Sequence, residues 1–420
     1  MIKVLLLNPV SQKMGLEKYF QIPPLSLMQV ASLFPENYDI YFWDEVHKKF
    51  SFEGSYDLVC ITAMTHQAKR AYQISSQLKD KGIKTILGGM HASVLPEEAI
   101  KYASAVVVGE AEKIFPKVLN DFENQNLKKI YKAPLSNEKD LIVPFPKRDI
   151  LNGKRYITKQ VVQVIRGCPF KCNFCTVTPF FGNHFRKKPI DLIIKEIDSL
   201  PKKLIVFLDD DLFADLNYAR KFLNILKERN KKWVSQATLR FTEDRNFVKL
   251  VKKAGCLGLF IGLETFPNKE RPEFQKNKKI KDMESALKLL QDEGILVEGS
   301  FVFGFDEDKE DIFEKTVKFV EKVQLPSATF NILTPYPGSE IYEKFEKEGR
   351  ILTKDWEKYN HNEVVFLPKN MSPEKLYQGW AWARKETYSL KSIFLRVMKN
   401  KDKLKNFAYN ILRKIPNDRL

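Results

Sequence analysis

The sequence predicts two parallel α/β units in succession, followed by a helical C-terminal segment. Three observations carry this reading. Short apolar, β-branched runs alternate with helix-period stretches up to about residue 125. The alternation lapses over 126–158, where Pro134, Pro144 and Pro146 punctuate a stretch of little periodicity. It resumes at Lys159 for six further strand-plus-helix repeats, to about residue 350. A chain of 420 residues is long enough for two or three domains, each with its own core.

In the first unit, residues 1–125, strands fall at 3–10, 38–43, 57–64, 85–89 and 105–108, with helices between them such as 67–81 and 96–102. Five strands with interleaved helices suit a Rossmann-like or flavodoxin-like domain, whose ligands bind beyond the carboxyl ends of the strands. The loops at those ends are Asn8-Pro9, 62–65, Gly88-Gly89-Met90-His91 and Gly109-Glu110-Ala111-Glu112. Their glycines let a ligand approach the backbone closely, although Gly88-Gly89 alone is equally the composition of a plain turn. No G-x-G-x-x-G follows the first strand, which argues against a nicotinamide dinucleotide.

Residues 126–158 read as an interdomain linker. The second unit, 159–350, places strands at 161–165, 204–208, 233–238, 258–263, 299–303 and 329–333, separated by helices at 189–200, 214–229, 243–254, 281–293 and 309–323. Residues 351–420 form the C-terminal segment, helical from Pro373, with Trp380, Trp382 and Tyr388 expected to pack over the mouth of the second unit.

Composition narrows the function. Five cysteines do not suggest a disulfide scaffold, and Cys60 and Cys256 lie in apolar strands as core thiols, which points to a reducing, cytoplasmic compartment. The apolar run 4–7 is too short for a signal peptide, and no apolar stretch approaches the ~20 residues of a membrane span. The net charge of +17 invites a nucleic-acid reading, but residues 384–420 alone carry a net +8. A basic tail is a different object from a basic groove, and no nucleic-acid partner is expected. In that tail Leu404, Phe407, Ala408, Ile411, Leu412 and Ile415 recur at helical spacing among Lys399, Lys401, Lys403, Lys405, Arg413 and Lys414. Such a helix either docks on its own protein with its lysines in water or lies peripherally on an anionic membrane face.

The chemistry sits in Cys168-Pro169-Phe170-Lys171-Cys172-Asn173-Phe174-Cys175, directly after the first strand of the second unit. Three thiols so close together are metal-ligand chemistry. They are one short of the four that normally close an iron–sulfur cluster, which leaves one iron free to take a ligand. A zinc site with His184 as fourth ligand competes with this reading, but structural zinc usually draws on two separated cysteine pairs. Three unligated core thiols are a further reading, opposed by Pro169, Lys171 and Asn173, which are loop residues.

The spacing, with Phe174 just before the last cysteine, resembles the signature of the radical S-adenosylmethionine enzymes. That resemblance implies a 4Fe–4S cluster on Cys168, Cys172 and Cys175, with S-adenosylmethionine at the open iron. It also implies a partial (β/α)6 barrel of the TIM type, with its chemistry at the carboxyl ends of the strands. Phe174, Asp210, Gln236, Arg240, Glu264 and Gly304 are the S-adenosylmethionine-binding residues it implies. For Asp210, in Asp209-Asp210-Asp211, the residues alone leave open a solvated acidic loop or a cap of the helix at Phe213.

The stretches Leu5-Leu6-Leu7-Asn8-Pro9, Ile22-Pro23-Pro24-Leu25, 56–62, Gly88-Gly89-Met90-His91 and Val108-Gly109-Glu110-Ala111-Glu112 together resemble the cobalamin-binding domain that precedes the barrel in one class of these enzymes. Cobalamin contacts are implied at Asn8, Pro9, Thr62, Gly88, Gly89, His91, Gly109, Glu110 and Glu112. The D-x-H-x-x-G motif of the wider cobalamin-binding pattern is absent, since Asp44-Glu45-Val46-His47 has the wrong spacing. Cobalamin would then be held without a histidine below the cobalt, or not held at all.

The implied function is that of a cobalamin-dependent radical S-adenosylmethionine C-methyltransferase. It would cleave S-adenosylmethionine reductively to a 5′-deoxyadenosyl radical and methylate an unactivated carbon of a lipid or natural-product substrate. Its one-electron donor would be of flavodoxin or ferredoxin type. A radical rearrangement, cyclisation or oxidation is the first alternative, and a non-catalytic cobalamin or metal sensor the second. Methylthiolation would need a second cysteine triplet in the first unit, which has only Cys60.

Overall fold

The first strand of the chain, β1 (Ile2–Asn8), takes an interior place in a six-stranded parallel sheet with β2 (Tyr38–Asp44), β3 (Leu58–Thr62), β4 (Lys84–Gly88), β5 (Ala105–Val108) and β6 (Ile130–Lys132). The computed structural model describes residues 1–11, 21–134, 139–182, 185–201, 204–265, 283–397, 410 and 413. The order is β2-β1-β3-β4-β5-β6, so the direction of winding reverses between β1 and β3. Four consecutive residues of β1, Val4 to Leu7, are buried because helices cover both faces of the sheet. Val4 and Leu6 share a core with Leu27, Met28 and Phe115, whereas Leu5 and Leu7 share one with Ala71, Ile74 and Leu78.

β6 lies in the stretch expected to be a linker. Only three residues long, it is registered against Val106 to Val108 of β5, with Tyr131 buried. A strand this short between lysines carries no periodicity to read.

The second unit is a second parallel sheet, built from β7 (Val161–Val162), β10 (Leu204–Phe207), β11 (Lys232–Ala237), β12 (Cys256–Glu264), β13 (Leu296–Phe303) and β14 (Ser327–Ile332). These run side by side in chain order from β7 to β14. The strand expected at 161–165 is broken in two. After β7 the chain leaves the sheet, and β8 (Ile165–Arg166) pairs antiparallel with β9 (Arg186–Lys187) instead. The cause is Asp209, whose carboxylate takes the N–H groups of both Val164 and Ile165 away from the ladder.

The C-terminal segment departs from expectation. Trp380 and Tyr388 pack along the edge strand β14 rather than over the mouth, the indole donating to the Phe330 carbonyl at 2.9 Å and the phenol to that of Ala328 at 2.7 Å; Trp382 is exposed. Arg413, counted on the basic face of the tail, is buried against the barrel, donating to Glu298 of β13 at 2.7 Å and to the Thr329 hydroxyl of β14 at 2.9 Å. Asn410 is buried beside it and donates to the Pro326 carbonyl at 2.9 Å. The rest of the amphipathic pattern, from Lys399 to Ile415, lies outside the described residues. Among the described residues no helix is long and apolar enough to cross a membrane.

Candidate active site

The cysteine loop begins where β8 ends, passing from Arg166 through Gly167 to Cys168. The three carboxylates after β10 organise this junction. Asp209, fully buried, holds Val164 at 2.8 Å and Ile165, and burial pushes its carboxyl up to about 8. Asp210 accepts from the N–H of Gly167 at 3.1 Å, and burial pushes its carboxyl up to about 6. Asp211 accepts from the N–H of Phe213 at 3.2 Å and from the hydroxyl of Thr238 at 3.0 Å, joining the ends of β10 and β11.

Within the loop the N–H of Cys175 donates to the carbonyl of Cys172 at 3.0 Å, a turn that gathers the second and third thiols. Cys172 is buried and its two companions half-buried. Burial pushes the Cys168 thiol up to about 12, so a thiolate there would need an adjoining cation, as a bound iron would be. Among the described residues no three His, Cys, Asp or Glu side chains surround a position for one metal ion. A cubane makes a different demand, one thiolate at each of three irons. His184, the fourth ligand of the zinc reading, lies outside the described residues.

Two of the other barrel candidates make contacts at this loop. Phe174 meets Phe305 edge-on, ring centroids 5.5 Å apart, and Arg240 lies over the Phe170 ring at 5.2 Å. Gln236 is exposed between buried Ser235 and Ala237, which turns it to the open side of β11. Glu264 ends β12 in the left-handed region at φ 65°, buried, where the register with β13 slips. Such a backbone costs about 1–3 kcal/mol in a non-glycine residue and persists where the surroundings over-determine it.

Gly304 departs from expectation. Its φ is +109°, and a Cβ would meet Leu376 Cδ2 at 2.9 Å and Phe366 Cζ at 3.0 Å, so packed side chains rather than an open face for S-adenosylmethionine account for this glycine. The organising residue here is Asp308, which the sequence reading missed. It is buried and accepts from the N–H groups of Gly304 at 2.9 Å and Phe305 at 3.0 Å and from the Thr265 hydroxyl at 3.3 Å. The available signal was a carboxylate four residues after a strand-ending glycine, the spacing of a side-chain cap on a turn.

Between the two units opens a cavity of about 370 Å³. Thr62, Gly88, Gly89, Gly109, Glu110 and Glu112 line it from the first unit, and Gln163, Arg166, Phe180 and Phe181 from the second, while Leu25, Leu33, Ile86, Val107 and Phe115 give it apolar walls. Asn8, Pro9 and His91 lie off this lining. Asn8 donates to Asp44 at 3.0 Å, the Pro9 carbonyl accepts from Gln67 at 2.8 Å, and the His91 ring is buried beside Trp356 with Nε2 3.4 Å from Glu98.

The cavity fits a cofactor with both apolar and polar parts. Gln29, also in its wall, accepts from Arg166 at 3.2 Å, and its own amide nitrogen is buried without a partner among the described residues. Arginine has no acceptor, so the oxygen of Gln29 must face it and the nitrogen is left to seek an acceptor elsewhere. A polar group of a bound cofactor would provide one.

Comparison with known proteins bears on both units. Residues 162–320 match the family described as the radical SAM superfamily, residues 15–119 the B12 binding domain, and residues 339–415 a domain of unknown function, DUF4070. The bacteriochlorophyllide d C-8(2)-methyltransferase of Chlorobaculum tepidum is 30% identical over 410 residues, 92% of this chain and 90% of that protein. The chain belongs to the cobalamin-dependent radical S-adenosylmethionine methyltransferases. The bacteriochlorophyllide d C-12(1)-methyltransferase of the same organism is 29% identical over 94% of this chain and 89% of that protein. Among solved structures, the radical S-adenosylmethionine methyltransferase TsrM of Kitasatospora setae, solved with cobalamin and a 4Fe–4S cluster, superposes with a TM-score of 0.70 over the full length of both chains at 14% identity, a likeness of fold.

As a member of this family the protein uses a 4Fe–4S cluster, S-adenosylmethionine and cobalamin. When bound, these groups supply the electron, the radical source and the methyl carrier. The chain's share is to hold three thiols on a loop pinned by Asp209 and Asp210, and to set a largely apolar cavity beside it.

Proposed function

We propose that the chain methylates a carbon of a large, mostly apolar ring system of tetrapyrrole type. One observation supports this reading above others: two relatives that match about nine-tenths of both chain lengths are named as bacteriochlorophyllide methyltransferases. The apolar walls of the interdomain cavity and the aromatic pair Phe180 and Phe181 accord with a site that excludes water around a reactive radical.

In this reading the cluster is carried by Cys168, Cys172 and Cys175, and S-adenosylmethionine is positioned by Phe174, Gln236, Arg240 and Glu264. Cobalamin lies against Thr62, Gly88, Gly89 and Gly109. Residues 1–125 serve as the cobalamin domain, 159–350 as the barrel and 351–420 as a segment that braces it. The electron comes from a donor of flavodoxin or ferredoxin type.

The test is anaerobic reconstitution with iron, sulfide and hydroxocobalamin. The loaded protein then receives a reductant, a bacteriochlorophyllide and S-adenosylmethionine carrying a deuterated methyl group. Expected are 5′-deoxyadenosine and a macrocycle bearing the labelled methyl group, both lost in Cys172→Ala. 5′-Deoxyadenosine without labelling of any tetrapyrrole would sink the substrate class and leave the family intact.

A further inference from the structure

The ribbon β8–β9 does more than reach the cysteine loop. Its two strands place Arg166 and Arg186 opposite each other in register, and both side chains are buried. Both turn to the first unit. The Arg166 guanidinium pairs with Glu110, and with Glu112 at 2.9 Å, while Arg186 takes the other oxygen of Glu110 at 2.7 Å. Arg166 also donates to Gln163 at 3.0 Å and to Gln29 at 3.2 Å, and lies over the Phe181 ring at 5.9 Å.

The charges are balanced, two against two. Burial works against the Glu110 carboxylate, but Arg186 and Arg166 more than offset it and hold it below the usual range. The carboxylates that the sequence offers as cofactor contacts are thus engaged by arginines, at the start of the helix Ala111–Glu123.

We propose that Arg166 is a positioning residue that fixes the cluster loop relative to the cobalamin cavity. One glycine separates it from Cys168, and its guanidinium forms part of the cavity wall together with Gln29, Glu110, Glu112 and Gln163. A planar fork with five donors can engage several partners at once, and lysine cannot reproduce that span. In this role Arg166 acts through the loop it carries. The inference rests on the cofactors and not on a substrate, so it stands or falls independently of the tetrapyrrole reading.

The experiment uses the full chain loaded with cluster and cobalamin, reduced so that both the cluster and cob(II)alamin are paramagnetic, and reads their magnetic interaction by electron paramagnetic resonance. Iron and cobalt contents and thermal stability are measured alongside. In Arg166→Met the spin–spin splitting shifts or broadens in protein that still carries both cofactors, and Arg166→Lys, which keeps the charge, recovers part of the parent signal. Glu112→Gln, a milder change, gives a smaller shift and decides the matter if Arg166→Met fails to load. Arg396→Met removes a buried arginine that bonds the Leu325 and Thr387 carbonyls, away from the cavity lining, and serves as the control for lost stability. A parent-like splitting in loaded Arg166→Met or Glu112→Gln, or the same change in Arg396→Met, would overturn the proposal.

Discussion

Asp210 holds the backbone N–H of Gly167 at 3.1 Å, one residue before Cys168. A carboxylate implied to bind S-adenosylmethionine therefore also anchors the cysteine loop. Asp210→Asn keeps an acceptor for that N–H and is expected to retain iron. Asp210→Ala leaves the N–H of buried Gly167 unpaired, at about 1–3 kcal/mol, and loosens the loop. Iron per chain after anaerobic reconstitution distinguishes the two, and equal iron in both would show that this hydrogen bond does not hold the loop.

Gly89 is confined for a reason other than ligand approach alone. It has φ +93°, and a Cβ would come within 2.7 Å of Thr62 Oγ1 and 2.9 Å of the Ala63 backbone. Gly89→Ala pushes β3 from β4 at the cavity wall and is expected to cost more than about 2 kcal/mol and to abolish cobalamin retention. Gly82, at φ +77° with open space around it, is the comparison: Gly82→Ala costs about 1 kcal/mol and leaves retention unchanged. Chemical denaturation and cobalt content check both.

Hydrogen bonds from Gly304, Phe305 and Thr265 converge on Asp308. Asp308→Ala strands the Gly304 and Phe305 N–H groups in the interior and is expected to lower stability by about 3 kcal/mol. Because Phe305 packs on Phe174, the cluster also becomes more exposed, read as faster bleaching of its absorbance in air.

A pH effect follows from Asp306, whose carboxylate is paired with Lys344 at 2.6 Å, Arg350 at 2.8 Å and Lys369 at 3.1 Å. Burial opposes its charge, but Arg350 and the two lysines hold its carboxyl down to about 2, below the ordinary 3.8. A depressed acid stabilises the fold above its unfolded value and loses that contribution as pH falls through its folded one. Parent protein is expected to exceed Asp306→Asn by about 2 kcal/mol at pH 5, with the gap closing between pH 4 and 2. Denaturation of both proteins across that range measures it, and a constant gap would count against the pairing.

The alternation of strand and helix, the cysteine loop and the glycine loops beyond β4 and β5 were legible because each has a local pattern: a period, a spacing, a dipeptide. Other features were fixed by partners far along the chain and left no such mark. The first barrel strand was misjudged because the N–H groups of Val164 and Ile165 go to Asp209, more than forty residues later. Glu110 and Glu112 read as free ligands until Arg166 and Arg186 were beside them. Helical spacing in the tail describes two faces, yet cannot reveal that Arg413 turns inward to Glu298.

That inward turn sets an order of assembly. Cys168, Cys172 and Cys175 leave the ribosome more than two hundred residues before Arg413, which at ~5–20 residues per second means on the order of tens of seconds. Until Arg413 and Asn410 arrive, Glu298, Thr329 and the Pro326 carbonyl lack the hydrogen bonds that these two side chains donate. Cluster loading during synthesis would therefore meet a barrel whose last strands are not yet braced by Arg413 and Asn410.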